Sequence, residues 1–220
     1  MIGPTRQPAP ASDPWSLPVP RGRYFGWFAL QYSIWLGLYL GVNALTAGRS
    51  ALQPLLPGEH LLPLVAAAYP FYAVVYLEVF LPLFLSRTRR AFVRTQMACA
   101  LASLIAFAVY LAFPMPYPRP IFPPDSHGFW GSLLAFEWTF DQPRNTFPSL
   151  HVAFGWLMYL GLRDENPRWR PLLLFLAVAI SISTVLVKQH FIADVGGGAL
   201  LAWVGWRLAG RWTRIVAPSS

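Results

Sequence analysis

From Tyr24 to Gly48 the chain carries no charged side chain, and comparable apolar runs recur downstream, each bounded by arginines. No other feature restricts the fold as much. A helix of about 20 apolar residues crosses the hydrocarbon core of a bilayer, where every backbone polar group must be satisfied within the chain. The periodic alternative, an amphipathic helix on a soluble core, would need a polar face that these runs lack. Hydrophobic residues make up 55% and charged ones 12%, too apolar for an ordinary soluble domain of 220 residues. The reading is an all-α polytopic membrane bundle.

Six spans are expected, over residues 24–47, 61–85, 91–113, 148–162, 171–187 and 190–208. The second contains Pro63, Pro70 and Pro82, read as kinks. Residues 1–20 hold six prolines and no apolar stretch, and are expected to be a disordered tail ahead of a membrane domain over 21–215. Within the polar connection 114–147, the aromatic stretch 129–140 suits a short helix lying in the interface. The net charge of +8 does not point to nucleic acid, because the arginines lie between apolar blocks and form no single stripe. Laid on six spans, thirteen Lys and Arg residues fall on one side and four on the other. The positive-inside rule makes the first side cytoplasmic, with both termini there. Arg119, Arg144, His151, Lys188, His190 and Asp194 then gather at the opposite ends of spans three to six.

Two stretches carry chemistry. In Ser183-Thr184-Val185-Leu186-Val187-Lys188-Gln189-His190-Phe191-Ile192-Ala193-Asp194, the His and Asp stand at i and i+4, and the preceding Lys188 is the one lysine of the chain. Residues so spaced share a helix face, and a carboxylate on one imidazole nitrogen makes the other more basic. The same pair on a soluble helix would be an ordinary solvated face; ionisable groups beside apolar spans are costly and are functional candidates. In Arg144-Asn145-Thr146-Phe147-Pro148-Ser149-Leu150-His151, a basic residue, a hydroxyl and an imidazole fall where span four begins. A helix start offers free N–H groups and a positive dipole end, which suit an anion.

These two stretches resemble motifs of the type 2 phosphatidic acid phosphatase superfamily, membrane relatives of the vanadium haloperoxidases. Pro148-Ser149-Leu150-His151 matches a Pro-Ser-Gly-His element with Leu150 in place of Gly. Ser183, His190 and Asp194 match a Ser-Arg-x5-His-x3-Asp element in which Thr184 replaces Arg. Arg119-Pro120 looks like the end of a Lys-x6-Arg-Pro element whose Lys position is Ala112. The pairing of Pro-Ser-Leu-His with Lys-Gln-His-x3-Asp is closer to the branch that contains inositol phosphorylceramide synthases.

The resemblance implies a metal-independent lipid phosphatase that needs no cofactor and acts on lipid phosphates through a phosphohistidine. His190 would attack phosphorus, Asp194 orient it and His151 protonate the departing oxygen. Lys188, Ser149, the Leu150 N–H, Arg144 and Arg119 would hold the phosphate, with Lys188 compensating for Thr184. A transferase passing the phospho-headgroup to an alcohol uses the same residues. A metal triad of His151, His190 and Asp194, and an inactive lipid-binding or transport protein, are the competing readings. The implied setting is a bacterial inner membrane, with the site on the outer side and membrane lipids as the surroundings. Glu78 has no evident partner within span two, His60 and His127 read as surface residues, and Gly196 to Gly198 as a close helix-packing face. Cys99 reads as a small buried hydrophobe.

Overall fold

The computed structural model describes residues 13–49 and 53–216, and the elements in them are helical. Nine α-helices follow in order: α1 Arg21–Leu45, α2 Tyr69–Ala73, α3 Val75–Glu78, α4 Leu81–Leu85, α5 Arg89–Ala112, α6 Gly128–Phe140, α7 Leu150–Leu162, α8 Arg170–Leu186 and α9 Ile192–Val216. Among the described residues, three helical segments are long and apolar enough to cross a membrane: Arg21–Leu45, Arg89–Ala112 and Pro167–Leu186. Helix α7 is apolar but shorter.

The centre of the bundle is α5, α7 and α9. Their contacting faces are built from small residues: Ala98, Ala102 and Ala106 on α5, Ala153 on α7, and Ala202 and Ala209 on α9. Apolar side chains gain little by leaving lipid for protein, so such helices associate through close backbone approach. At Gly205 a Cβ would stand 2.9 Å from the Ala98 carbonyl oxygen, too close for any larger residue. Helix α1 lies at the periphery; Phe28, Val42 and Asn43 are its buried residues, and much of its surface faces outward.

The expected second span is not one kinked helix. Residues 59–85 divide into two 3-10 turns and the short α2, α3 and α4. Pro70 and Pro82 each stand in the first turn of a new helix, where the missing N–H has no intrahelical acceptor to lose. The stretch 129–140 does form a helix, α6, with Phe129, Phe136 and Phe140 exposed.

The arginine-bearing loops meet at one end. Glu165 accepts hydrogen bonds from the N–H groups of Arg87 and Thr88, at 2.8 and 3.0 Å, and so caps α5 from a distant loop. Of the expected disordered tail, residues 1–12 lie outside the described residues. Residues 13–20 run against the start of α5, where Leu17 and Trp15 carbonyls accept from Arg89 and Arg90 N–H, and Asp13 pairs with Arg90 at 2.8 Å.

Candidate active site

At the opposite end of the bundle, a turn and two helix starts are tied together. The Asn145 amide donates to Asn43 Oδ1 at 2.8 Å and Thr46 Oγ1 at 2.7 Å, fixing residues 145–149 to the end of α1. Tyr110 of α5 donates to the Pro148 carbonyl at 2.7 Å. Ser149 is the N-cap of α7, its hydroxyl accepting from Val152 N–H, and its own N–H donates to the Asp194 carbonyl at 3.2 Å. Close approach is possible because α9 carries glycine there: a Cβ on Gly198 would lie 2.5 Å from the Ser149 carbonyl oxygen.

His190 sits just ahead of α9 and is buried. Its Nδ1 faces two acceptors, the Thr146 carbonyl at 3.0 Å and Asp194 Oδ2 at 3.3 Å. Neither carries a proton when Asp194 is ionised, so Nδ1 holds the ring proton and Nε2 the lone pair. The sequence holds no sign of this role for Thr146, because a backbone carbonyl leaves no mark on residue type. Asp194 is fully buried and also accepts from Phe191 N–H at 2.9 Å. It therefore caps α9 and orients His190, so the ordinary reading of an acid in a first helical turn and the functional reading hold together.

His151 stands in the first turn of α7, with its ring centroid 5.8 Å from that of His190. It stacks on Tyr72 at 4.3 Å and its Nε2 lies 3.2 Å from Tyr76 Oη. His151, His190 and Leu150 line one cavity of about 250 Å³. Its polar wall adds Tyr76, Asp141, Asn145 and Gln189, and its apolar wall includes Tyr32, Trp35 and Tyr39 of α1. The N–H groups of Leu150 and His151 lie in a first helical turn, where no intrahelical acceptor reaches them. The start of α9 differs: Ile192 N–H already donates to Glu59 Oε1 at 2.6 Å.

The three basic residues expected to hold phosphate each make a hydrogen bond within the protein. Lys188 donates from Nζ to the Leu62 carbonyl at 2.6 Å, with its backbone at a left-handed φ of 57°. Burial pushes its ammonium below the usual lysine range, and Glu59 opposes that shift. Arg144 donates to the Asn43 carbonyl at 3.1 Å. Arg119 donates to the Asp141 carbonyl at 2.6 Å and to the Gln189 side-chain oxygen, beside the Asp141 carboxylate at 3.7 Å. Burial lowers its pKa while Asp141 raises it. Among the described residues no Lys or Arg lines the cavity. Arg119 reaches it through Gln189, a residue not picked out from sequence. Ser149 is likewise spent on capping. Among the described residues no three His, Cys, Asp or Glu side chains are grouped to hold a metal ion.

The chain is 37% identical over 71 residues to an uncharacterized protein of Methanocaldococcus jannaschii, a match that covers 32% of this chain and 29% of that relative. No solved structure matches. The family model described as PAP2 superfamily matches residues 45–208, which contain His151, His190, Asp194 and the turn that joins them; the chain belongs to the PAP2 superfamily, that of the type 2 phosphatidic acid phosphatases and their relatives.

Proposed function

We propose that the protein is a lipid phosphate phosphatase working through a phosphohistidine on His190. The observation that carries this reading is the pairing of Nδ1 with the Thr146 carbonyl and Asp194, which directs an Nε2 lone pair from a ring that lines the cavity with His151. Nε2 attacks phosphorus, and Asp194 stabilises the positive charge that the ring acquires. His151 gives a proton to the departing oxygen, and then takes one from the water that releases phosphate. The N–H groups of Leu150 and His151, at the positive end of α7, face the nonbridging oxygens. Lys188, Arg119 and Arg144 act from behind the wall: they hold the 53–68 loop, Gln189 and the end of α1 in place.

Family membership supports a phosphoesterase acting on lipid phosphates. The aromatic wall of α1 offers apolar surface to a lipid chain next to the histidines. For topology we propose six crossings, with residues 59–85 as a broken second one and both termini in the cytoplasm. The arginine-bearing end then lies inside and the cavity outside, on the periplasmic face if the host is a bacterium.

Protein purified in detergent should release phosphate from at least one of phosphatidic acid, phosphatidylglycerol phosphate and a polyprenyl diphosphate, and samples quenched in alkaline detergent should carry alkali-stable, acid-labile label from a radioactive phosphate ester. His190→Ala should abolish both. Release of phosphate by His190→Ala at the parent rate would sink the reading, and transfer to an added alcohol in place of water would move it to the transferase branch near the inositol phosphorylceramide synthases.

A further inference from the structure

Tyr76 joins His151 to Glu137, an acid that the proposed reaction leaves unused. Its hydroxyl oxygen lies 3.2 Å from His151 Nε2 and 2.9 Å from Glu137 Oε1, and it lines the cavity. Glu137 belongs to α6, outside the bundle centre, and its Oε2 is buried without a partner among the described residues. Tyr69, Tyr72, Asp141 and the Arg119 guanidinium also face Glu137, and Tyr72 and His190 face His151.

A tyrosine hydroxyl has one proton to give and lone pairs to accept with. With Nε2 of His151 held by Tyr76, Nδ1 is the nitrogen left for the substrate. We propose that Glu137 and Tyr76 form a proton relay to His151, as positioning residues that replace the proton His151 gives to the leaving group. The proposal rests on the phosphatase reading.

In the first step the His190 Nε2 to phosphorus bond forms and the phosphorus to ester oxygen bond breaks. The departing oxygen takes the proton from His151 Nδ1; Nε2 takes the Tyr76 proton, and Tyr76 takes that of the Glu137 carboxyl. Glu137 is left as the carboxylate. In the second step water attacks phosphorus and the bond to His190 breaks. The water proton goes to His151 Nδ1, while the Nε2 proton returns through Tyr76 to Glu137. Ester and water become alcohol and phosphate, and the relay ends as it began. The second histidine thus never becomes a lasting cation beside the charged phosphohistidine, where two positive rings 5.8 Å apart would repel.

Burial raises the Glu137 carboxyl above the usual carboxylate range, and contacts with tyrosine hydroxyls oppose this. The protonated form that feeds the relay therefore persists to higher pH than an exposed glutamate would allow, and is lost as pH rises through the raised value.

The test compares an alkyl ester, phosphatidic acid, with an aryl ester, p-nitrophenyl phosphate, whose leaving group departs without a proton. In Tyr76→Phe, which keeps the ring against His151, the ratio of alkyl to aryl kcat should fall about 10²-fold, the size of a general acid contribution, with KM for the alkyl ester changed less than threefold. Glu137→Gln, which touches His151 only through Tyr76, should lower the same ratio and remove from the alkyl kcat profile the high-pH limb that loss of the Glu137 proton produces. An equal loss on both esters, or no loss on either, overturns the relay. His190→Ala must abolish both activities; if it does not, the phosphatase reading fails, whatever the Tyr76 result.

Discussion

At the scale of single residues, several side chains do more than one job. Asp194 accepts from Phe191 N–H and faces His190 Nδ1 through the same oxygen. Asp194→Asn keeps an acceptor for the cap and removes the charge, so turnover should fall about 10²- to 10⁴-fold with a nearly unchanged thermal midpoint. Asp194→Ala should lose a further ~1 kcal/mol of stability with the cap, read from thermal unfolding in detergent. Lys188 separates two chemistries that sequence alone could not. A phosphate ligand would change product inhibition when removed. A tether to the Leu62 carbonyl would change stability. We propose the second class on the strength of the contact to Leu62: Lys188→Ala should leave inhibition by inorganic phosphate within about twofold and cost about 1–3 kcal/mol, the range for a buried group losing its partner. Unchanged stability with weakened phosphate inhibition would return Lys188 to the role its place in the motif suggested.

At the scale of elements, the site depends on how closely α9 passes the start of α7. Gly198 has room for no side chain, with Ser149 O at 2.5 Å and Val152 Cβ at 2.8 Å from a built Cβ. Gly198→Ala should destabilise by about 1–3 kcal/mol, the usual range for overpacking, and lower activity by shifting His151 against His190. Gly196, with nothing within 4 Å, is the control: Gly196→Ala should leave activity near the parent's, and the same assays read both. A glycine run at a helix start reads readily as a packing face, but which glycine meets which neighbour depends on crossing geometry. The same limit explains the second span. Its composition is apolar enough to be read as one helix. Whether a proline kinks a helix or starts a new one depends on whether neighbours satisfy the freed groups, and here the chain restarts at Pro70 and Pro82.

At the scale of the whole molecule, charge and chemistry are separated along the bundle. The loops around residues 13–23, 86–90 and 163–170 meet at one end through Glu165, Asp13 and backbone hydrogen bonds, while both histidines lie at the other. The proposed orientation is checked by labelling intact cells with a membrane-impermeant maleimide, in a Cys99→Ala background. Ser126→Cys should react in intact cells, and Arg168→Cys only after lysis. The reverse pattern would invert the topology. Much of this was legible in the linear chain, because long apolar runs and arginine bias are properties of composition, and the spacing of His190 and Asp194 is fixed by helix geometry. The chain by itself determined a helical membrane protein of this family and brought His151, His190 and Asp194 forward as a set. Only the tertiary structure decided that the Thr146 carbonyl meets His190 Nδ1, that Lys188, Arg119 and Arg144 meet Leu62, Gln189 and Asn43, and that Tyr76 and Glu137 stand behind His151. Those contacts join residues far apart in sequence through carbonyls and hydroxyls, whose partners are chosen by packing and carry no signature in the order of residues.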